Sequence, residues 1–178
     1  MQIAPSAATC NHLLAALPQS ELLQLLDKCE AVDLKFGEIL AEPWEPIRHV
    51  YFPTHSAIVL VTLMDDRASL EVGLVGNEGI VGTALVLDMA VSPQRALVQV
   101  PGAALRMQAD LFRQALEHCP ELQHVLKRYV HAAMAQLAQT AGCTRFHVVE
   151  ARLARWLLMT RDRAHADSFH VTHEFLAQ

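Results

Sequence analysis

The strongest constraint on the fold is the punctuation between Ala31 and Met107. Short β-rich runs (AVDLKF, EILAEP, HVYFPT, SAIVLVTLM, ASLEVGLV, RALVQV and AALRM) are each stopped by a turn signal. The breaks are Phe36-Gly37, Pro43, Pro46, Pro53, Asp65-Asp66, a glycine cluster, Pro93 and Pro101-Gly102. Short strands spaced about 8–12 residues apart read as an all-β sandwich or barrel. The Asp65-Asp66-Arg67 turn between two apolar runs is the best hairpin candidate.

Helical spacing flanks this block. Asn11 is placed to cap a short helix through Leu13, Leu14 and Leu17, with residues 1–10 frayed before it. Pro18 suits the first turn of the next helix, in which Leu22, Leu25 and Leu26 share a face. After Gln108 the pattern predicts a short helix from Asp110 to Cys119. A long one then opens at Pro120 and runs from Glu121 to about Gly142. Its line of Leu122, Leu126, Tyr129, Ala133, Leu137 and Ala141 steps by four and three, a seam spacing that would run on the order of 33 Å. Val125, Val130 and Met134 form a second line, so one line can pack on the β domain while the other meets a partner helix. The predicted dimer interface is Leu122, Leu126, Tyr129, Ala133 and Leu137, paired about a two-fold axis. Gly142 allows a break. A further helix over HVVEARLARWLLMTRDRA would turn Val149, Leu153, Trp156 and Leu157 inward and its arginines outward. Thr172 is a good N-cap for HEFLAQ, with Glu174 in the first turn.

Composition excludes several classes. At 178 residues and 52% hydrophobic, the chain can bury the core of one ordinary domain. No apolar run approaches the roughly 20 residues that span a bilayer, and the N-terminus lacks a signal-peptide pattern, so no membrane partner is expected. Cys10, Cys29, Cys119 and Cys143 are too scattered for a disulfide framework or a zinc ribbon, and a reducing cytoplasm fits best. No metal site is expected either: His49 and His55 are separated by Pro53, and His165, His170 and His173 fall in a loop and a helix start. Ser56, Ser69 and Ser92 stand in no nucleophile-elbow context, so neither a catalytic residue nor an enzyme is expected. Net charge is −5, from 14 basic and 19 acidic residues, which argues against a nucleic-acid surface over the whole chain. Basic character gathers instead in Arg145, Arg152, Arg155, Arg161 and Arg163.

The stretch from Gly73 to Val100 is the candidate binding region. Gly76, Gly79 and Gly82 bracket a short apolar segment, and Arg95 follows a Ser-Pro turn. Glycines let a backbone approach a ligand, helix-start N–H groups attract anions, and an arginine can close on a phosphate. A glycine-rich turn, a β-edge excursion and a solvated arginine explain the same residues. The residues themselves leave both readings open.

The order of a small β-roll, a glycine cassette ending in arginine, a long seam helix, then EARLARWLL and THEFLAQ resembles the Crp/Fnr family of bacterial transcription regulators. The resemblance covers roughly Leu13 to Gln178. It implies a mainly β plus α chain: a double-stranded β-helix (jelly roll) of the cyclic-nucleotide-binding-like type over 1–119, a dimerisation helix over 120–143, and the N-terminal part of a winged helix-turn-helix over 144–178. The recognition helix would follow Gln178. The implied partners are a second copy of the chain, DNA in the full-length protein, RNA polymerase and an unknown small-molecule effector. The implied effector residues are Gly79, Gly82, Thr83, Arg95 and Ala96, and Arg152 and Arg155 are implied for DNA phosphates. Members that bind cyclic AMP carry Gly-Glu and then Arg-Ser or Arg-Thr, whereas here Gly82 is followed by Thr83 and Arg95 by Ala96. A cyclic nucleotide is therefore a candidate cofactor whose tight binding these departures oppose. The iron–sulfur cluster of some relatives is not expected, since Cys10 and Cys29 cannot supply four ligands. The alternatives are a stand-alone ligand-binding or interaction module of the same fold, and a β-roll enzyme.

Overall fold

All seven β-rich runs form strands in the computed structural model, which describes residues 10–65 and 68–164. They are β1 (Cys29–Leu34), β2 (Ile39–Ala41), β3 (His49–Pro53), β4 (Ala57–Asp65), β5 (Ala68–Val75), β6 (Arg95–Val100) and β7 (Gly102–Gln108). One sheet has the order β1-β7-β3 and the other β2-β6-β4-β5, with every pairing antiparallel. Asp65 pairs with Ala68, so β4 and β5 form the expected hairpin, although residues 66 and 67 lie outside the described residues. This is a two-sheet jelly roll. Leu34, Ile58, Val75, Val98 and Ala104 fill the space between the sheets.

The first helices cover the first sheet. In α1 (His12–Ala15) the Asn11 side-chain oxygen accepts from the Leu13 and Leu14 N–H groups, as its N-cap position predicts. Its amide also donates to Pro53 O at 2.9 Å and Gly79 O at 3.0 Å, tying the cap to the β-roll. Helix α2 (Gln19–Leu26) buries Leu22, Leu25 and Leu26. Helices α3 (Ala109–His118) and α4 (Pro120–Phe146) follow, and Phe112 meets Phe52 edge-on at 6.3 Å.

Three expectations need correction. Gly142 does not end the long helix. A glycine costs a helix interior only about 1 kcal/mol, and the helix, 27 residues in all, runs on to Phe146 before His147 turns extended. Leu122 and Leu126 do not face a partner: both are fully buried in this chain's own core, with Tyr129 packed beside them. The apolar line left outside is Met134 (64% exposed) and Leu137 (47%), flanked by Ala138 and Ala141, while Ala133 is half-buried. The last helix, α5 (Val149–Ala164), presents only part of the expected face. It packs on β4 and β5 with Trp156 turned in as expected, joined by Thr160 and Arg163, while Val149, Leu153 and Leu157 are exposed. Burial on that face follows polar anchors that a count of apolar spacing does not register. Thr172 and the THEFLAQ segment lie outside the described residues.

Candidate functional site

The glycine cassette leaves β5 at Val75 and passes through a 3-10 turn over Thr83–Leu87 before β6 begins. Gly82 caps that turn at φ 103, in the left-handed region that glycine occupies without strain. The loop is pinned at its start. Asn77 Nδ2 donates to Cys10 O at 3.1 Å, His12 N–H donates to Asn77 O at 2.8 Å, and Val81 exchanges backbone hydrogen bonds with Tyr51.

The expected effector residues are not gathered into one site. Gly82, Thr83 and Ala96 line a cavity of about 30 Å³ together with Leu60, Ile80 and Gln94. That is room for about one water molecule, against the roughly 300–1,000 Å³ of small-molecule pockets. Gly79 lies outside it, and so does Arg95, whose Nε donates to Glu42 Oε2 at 2.8 Å. The arginine expected for a phosphate already has a carboxylate.

The glycines instead admit the protein's own helices. A Cβ on Gly79 would run into the Tyr129 hydroxyl of α4 and lie 2.9 Å from Val75 Cγ1. A Cβ on Gly76 would lie 2.7 Å from Arg163 Cγ of α5. Burial, with the nearby Glu78 charge, pushes the Tyr129 hydroxyl up to about 12, against a smaller lowering from the polar backbone of Ile80 beside it. The hydroxyl is thus a neutral, buried link between the long helix and the cassette.

Polar bonds from α5 complete the contact. Arg163 Nε donates to Glu78 Oε1 at 2.7 Å, and the arginine side chain is only 13% exposed. Trp156 Nε1 donates to Glu71 Oε2 at 3.0 Å. Burial pushes the Glu71 carboxyl above the usual range, and the indole bond and Arg163 pull it only part of the way back. Ion pairs of this kind contribute little net stability but fix one orientation. Arg155 donates from both terminal nitrogens to Thr140 Oγ1 at 3.1 and 3.2 Å, so it faces α4, whereas Arg152 is exposed. Glu71, Glu78, Tyr129 and Arg163 therefore carry roles that spacing along the chain did not assign them. The available signals were an acid inside the apolar run ASLEVGLV and another inside the glycine cassette.

Among the described residues no group of three His, Cys, Asp or Glu side chains could hold a metal ion, and no helix is long and apolar enough to cross a membrane.

No family model matches the sequence, and no curated protein does. Solved structures do match. The c-di-GMP responsive global regulator CLP of Xanthomonas campestris superimposes with a TM-score of 0.73 at 14% identity, over 90% of this chain and 83% of that one. The regulatory subunit of a cAMP-independent protein kinase A from Trypanosoma brucei gives 0.62 at 20% identity, over 71% of this chain. This chain spans 46% of that subunit. The sensor domain of the transcriptional regulator DNR from Pseudomonas aeruginosa gives 0.59 at 17% identity, over 75% of this chain and 90% of that domain. The fold is the cyclic-nucleotide-binding-like jelly roll with C-terminal helices.

Proposed function

We propose that the chain is the sensor and dimerisation portion of a transcription regulator of the Crp/Fnr type, cytoplasmic and without catalytic activity of its own. The observation that carries this reading is the double docking of the glycine cassette. Gly79 and Ile80 hold α4 through Tyr129, while Gly76 and Glu78 hold α5 through Arg163. Any shift of the cassette must move one or both helices, which is the mechanical requirement for a sensor that speaks through its C-terminal end.

The long helix supplies the dimer. Its seam is the exposed line of Met134, Leu137, Ala138 and Ala141, with Ala133 at its margin. Two copies paired about a two-fold axis would cover that line symmetrically. Arg152, exposed near the start of α5, would touch a DNA phosphate, and RNA polymerase is the partner through which a bound regulator would act.

Two experiments test the reading. In sedimentation, Met134→Glu with Leu137→Glu should convert a dimer to a folded monomer, whereas Leu126→Glu should unfold the chain. An unchanged dimer places the interface elsewhere. Selection from a random DNA pool by the protein as its gene encodes it should enrich a two-fold symmetric sequence, with half-sites about one helical turn apart. Failure to enrich any sequence would favour the stand-alone module.

A further inference from the structure

A cavity much larger than the one beside Gly82 lies away from the jelly-roll interior. About 360 Å³ opens between β5, the C-terminal half of α4 and the first turns of α5. That volume falls at the lower end of the range for small-molecule pockets. Its walls differ in character. Leu70, Val72, Leu153, Trp156 and Met159 contribute apolar lining, and Gln136, Thr140, Thr144, Arg152 and Arg155 contribute polar lining.

The charges are unbalanced. Arg155 is half-buried and spends both terminal nitrogens on one neutral hydroxyl, Thr140 Oγ1. Among the described residues neither Arg155 nor Arg152 has a carboxylate within ion-pair distance. The single acid in the wall is Glu71, whose oxygens both accept from Trp156 Nε1. A half-buried guanidinium whose partner is only a hydroxyl gains most from an anion, which it can grip with two parallel bonds.

We propose that this cavity binds a small organic acid with an apolar ring system, the ring lying against β5, Trp156 and Met159 and the acid group on Arg155 with Arg152 at the rim. The site goes beyond the regulatory reading and does not depend on DNA binding. A DNA phosphate would meet Arg152 from outside and could not carry its backbone into a space of this size. The occupant would bridge three elements at once, β5, α4 and α5.

Calorimetry at neutral pH with a matched pair of probes tests the assignment. 1-Naphthaleneacetate and its neutral amide share a ring and differ in charge. The acid should bind at least tenfold more tightly than the amide. Arg155→Ala should reduce the acid to the amide's affinity, and Leu153→Trp, at an exposed wall position, should block both probes. Arg113→Ala, on α3 and paired with Asp110, should change nothing. Circular dichroism of each variant confirms that it is folded, and Arg155→Lys, which keeps the charge but loses the fork, should fall between wild type and Arg155→Ala. Equal affinity for acid and amide, no binding of the acid at millimolar concentration, or an acid preference undiminished in folded Arg155→Ala or Arg155→Lys overturns the proposal. Unchanged binding in Leu153→Trp does so as well, because it places the probe elsewhere.

Discussion

Replacing Gly79 by alanine isolates the contact through which the long helix meets the glycine cassette. The added methyl would collide with the Tyr129 hydroxyl and lie 2.9 Å from Val75 Cγ1, so one side chain or the helix itself must move. Overpacking of this kind costs about 1–3 kcal/mol. At about 2–4 °C of melting temperature per kcal/mol for a chain of this length, Gly79→Ala should melt about 2–12 °C lower. Tyr129→Phe should itself cost about 0.5–1.5 kcal/mol, since it removes a buried hydroxyl and its polar contact with the Ile80 backbone. The two changes share one space, because the phenylalanine vacates the volume that the new methyl needs. Val75 remains, so relief is partial, and the double variant should be about 1 kcal/mol more stable than the sum of the singles predicts. Urea unfolding of the wild type, both single variants and the double variant measures that difference directly. Additivity within about 0.5 kcal/mol, or a neutral Gly79→Ala, would refute the argument that the tyrosine is what makes this position a glycine.

Glu71→Gln should stabilise the protein at neutral pH. The folded carboxyl titrates above its ordinary 4.5, so ionising it costs folding free energy as pH rises through and beyond that value. The advantage of the glutamine should be full above the raised folded value and vanish below the ordinary one; a variant equally stable at both ends of a pH series of unfolding curves would contradict this sign. Cyclic AMP should not bind tightly, because the cavity beside Gly82 holds about 30 Å³ and Arg95 is paired with Glu42. A micromolar dissociation constant in calorimetry, lost in Arg95→Ala, would refute that. Asn11→Ala should destabilise by about 2–4 kcal/mol, since it removes a helix cap and leaves the buried Pro53 and Gly79 carbonyls without a donor. A loss below about 0.5 kcal/mol in urea unfolding would mean that water replaces the amide.

Local chemistry was enough to set the elements of this protein. The seven β runs, the Asn11 cap, the Pro120 helix start and the buried Leu22, Leu25 and Leu26 are all legible in the sequence, because turn residues, caps and apolar periods act within a few neighbours. What a face packs against is a different kind of fact. The stepping of Leu122, Leu126 and Tyr129 marked an apolar stripe correctly but could not say that the chain's own β-roll would cover it, leaving Met134 and Leu137 outside. Arg95 looked free until Glu42, 53 positions earlier, was brought beside it by the β2–β6 pairing. Gly76 and Gly79 read as an approach for a ligand because glycine in a sequence announces only that something comes close. Only the tertiary structure decides what that is, and here it is Arg163 and Tyr129, whose contacts depend on long-range closure that no local pattern encodes.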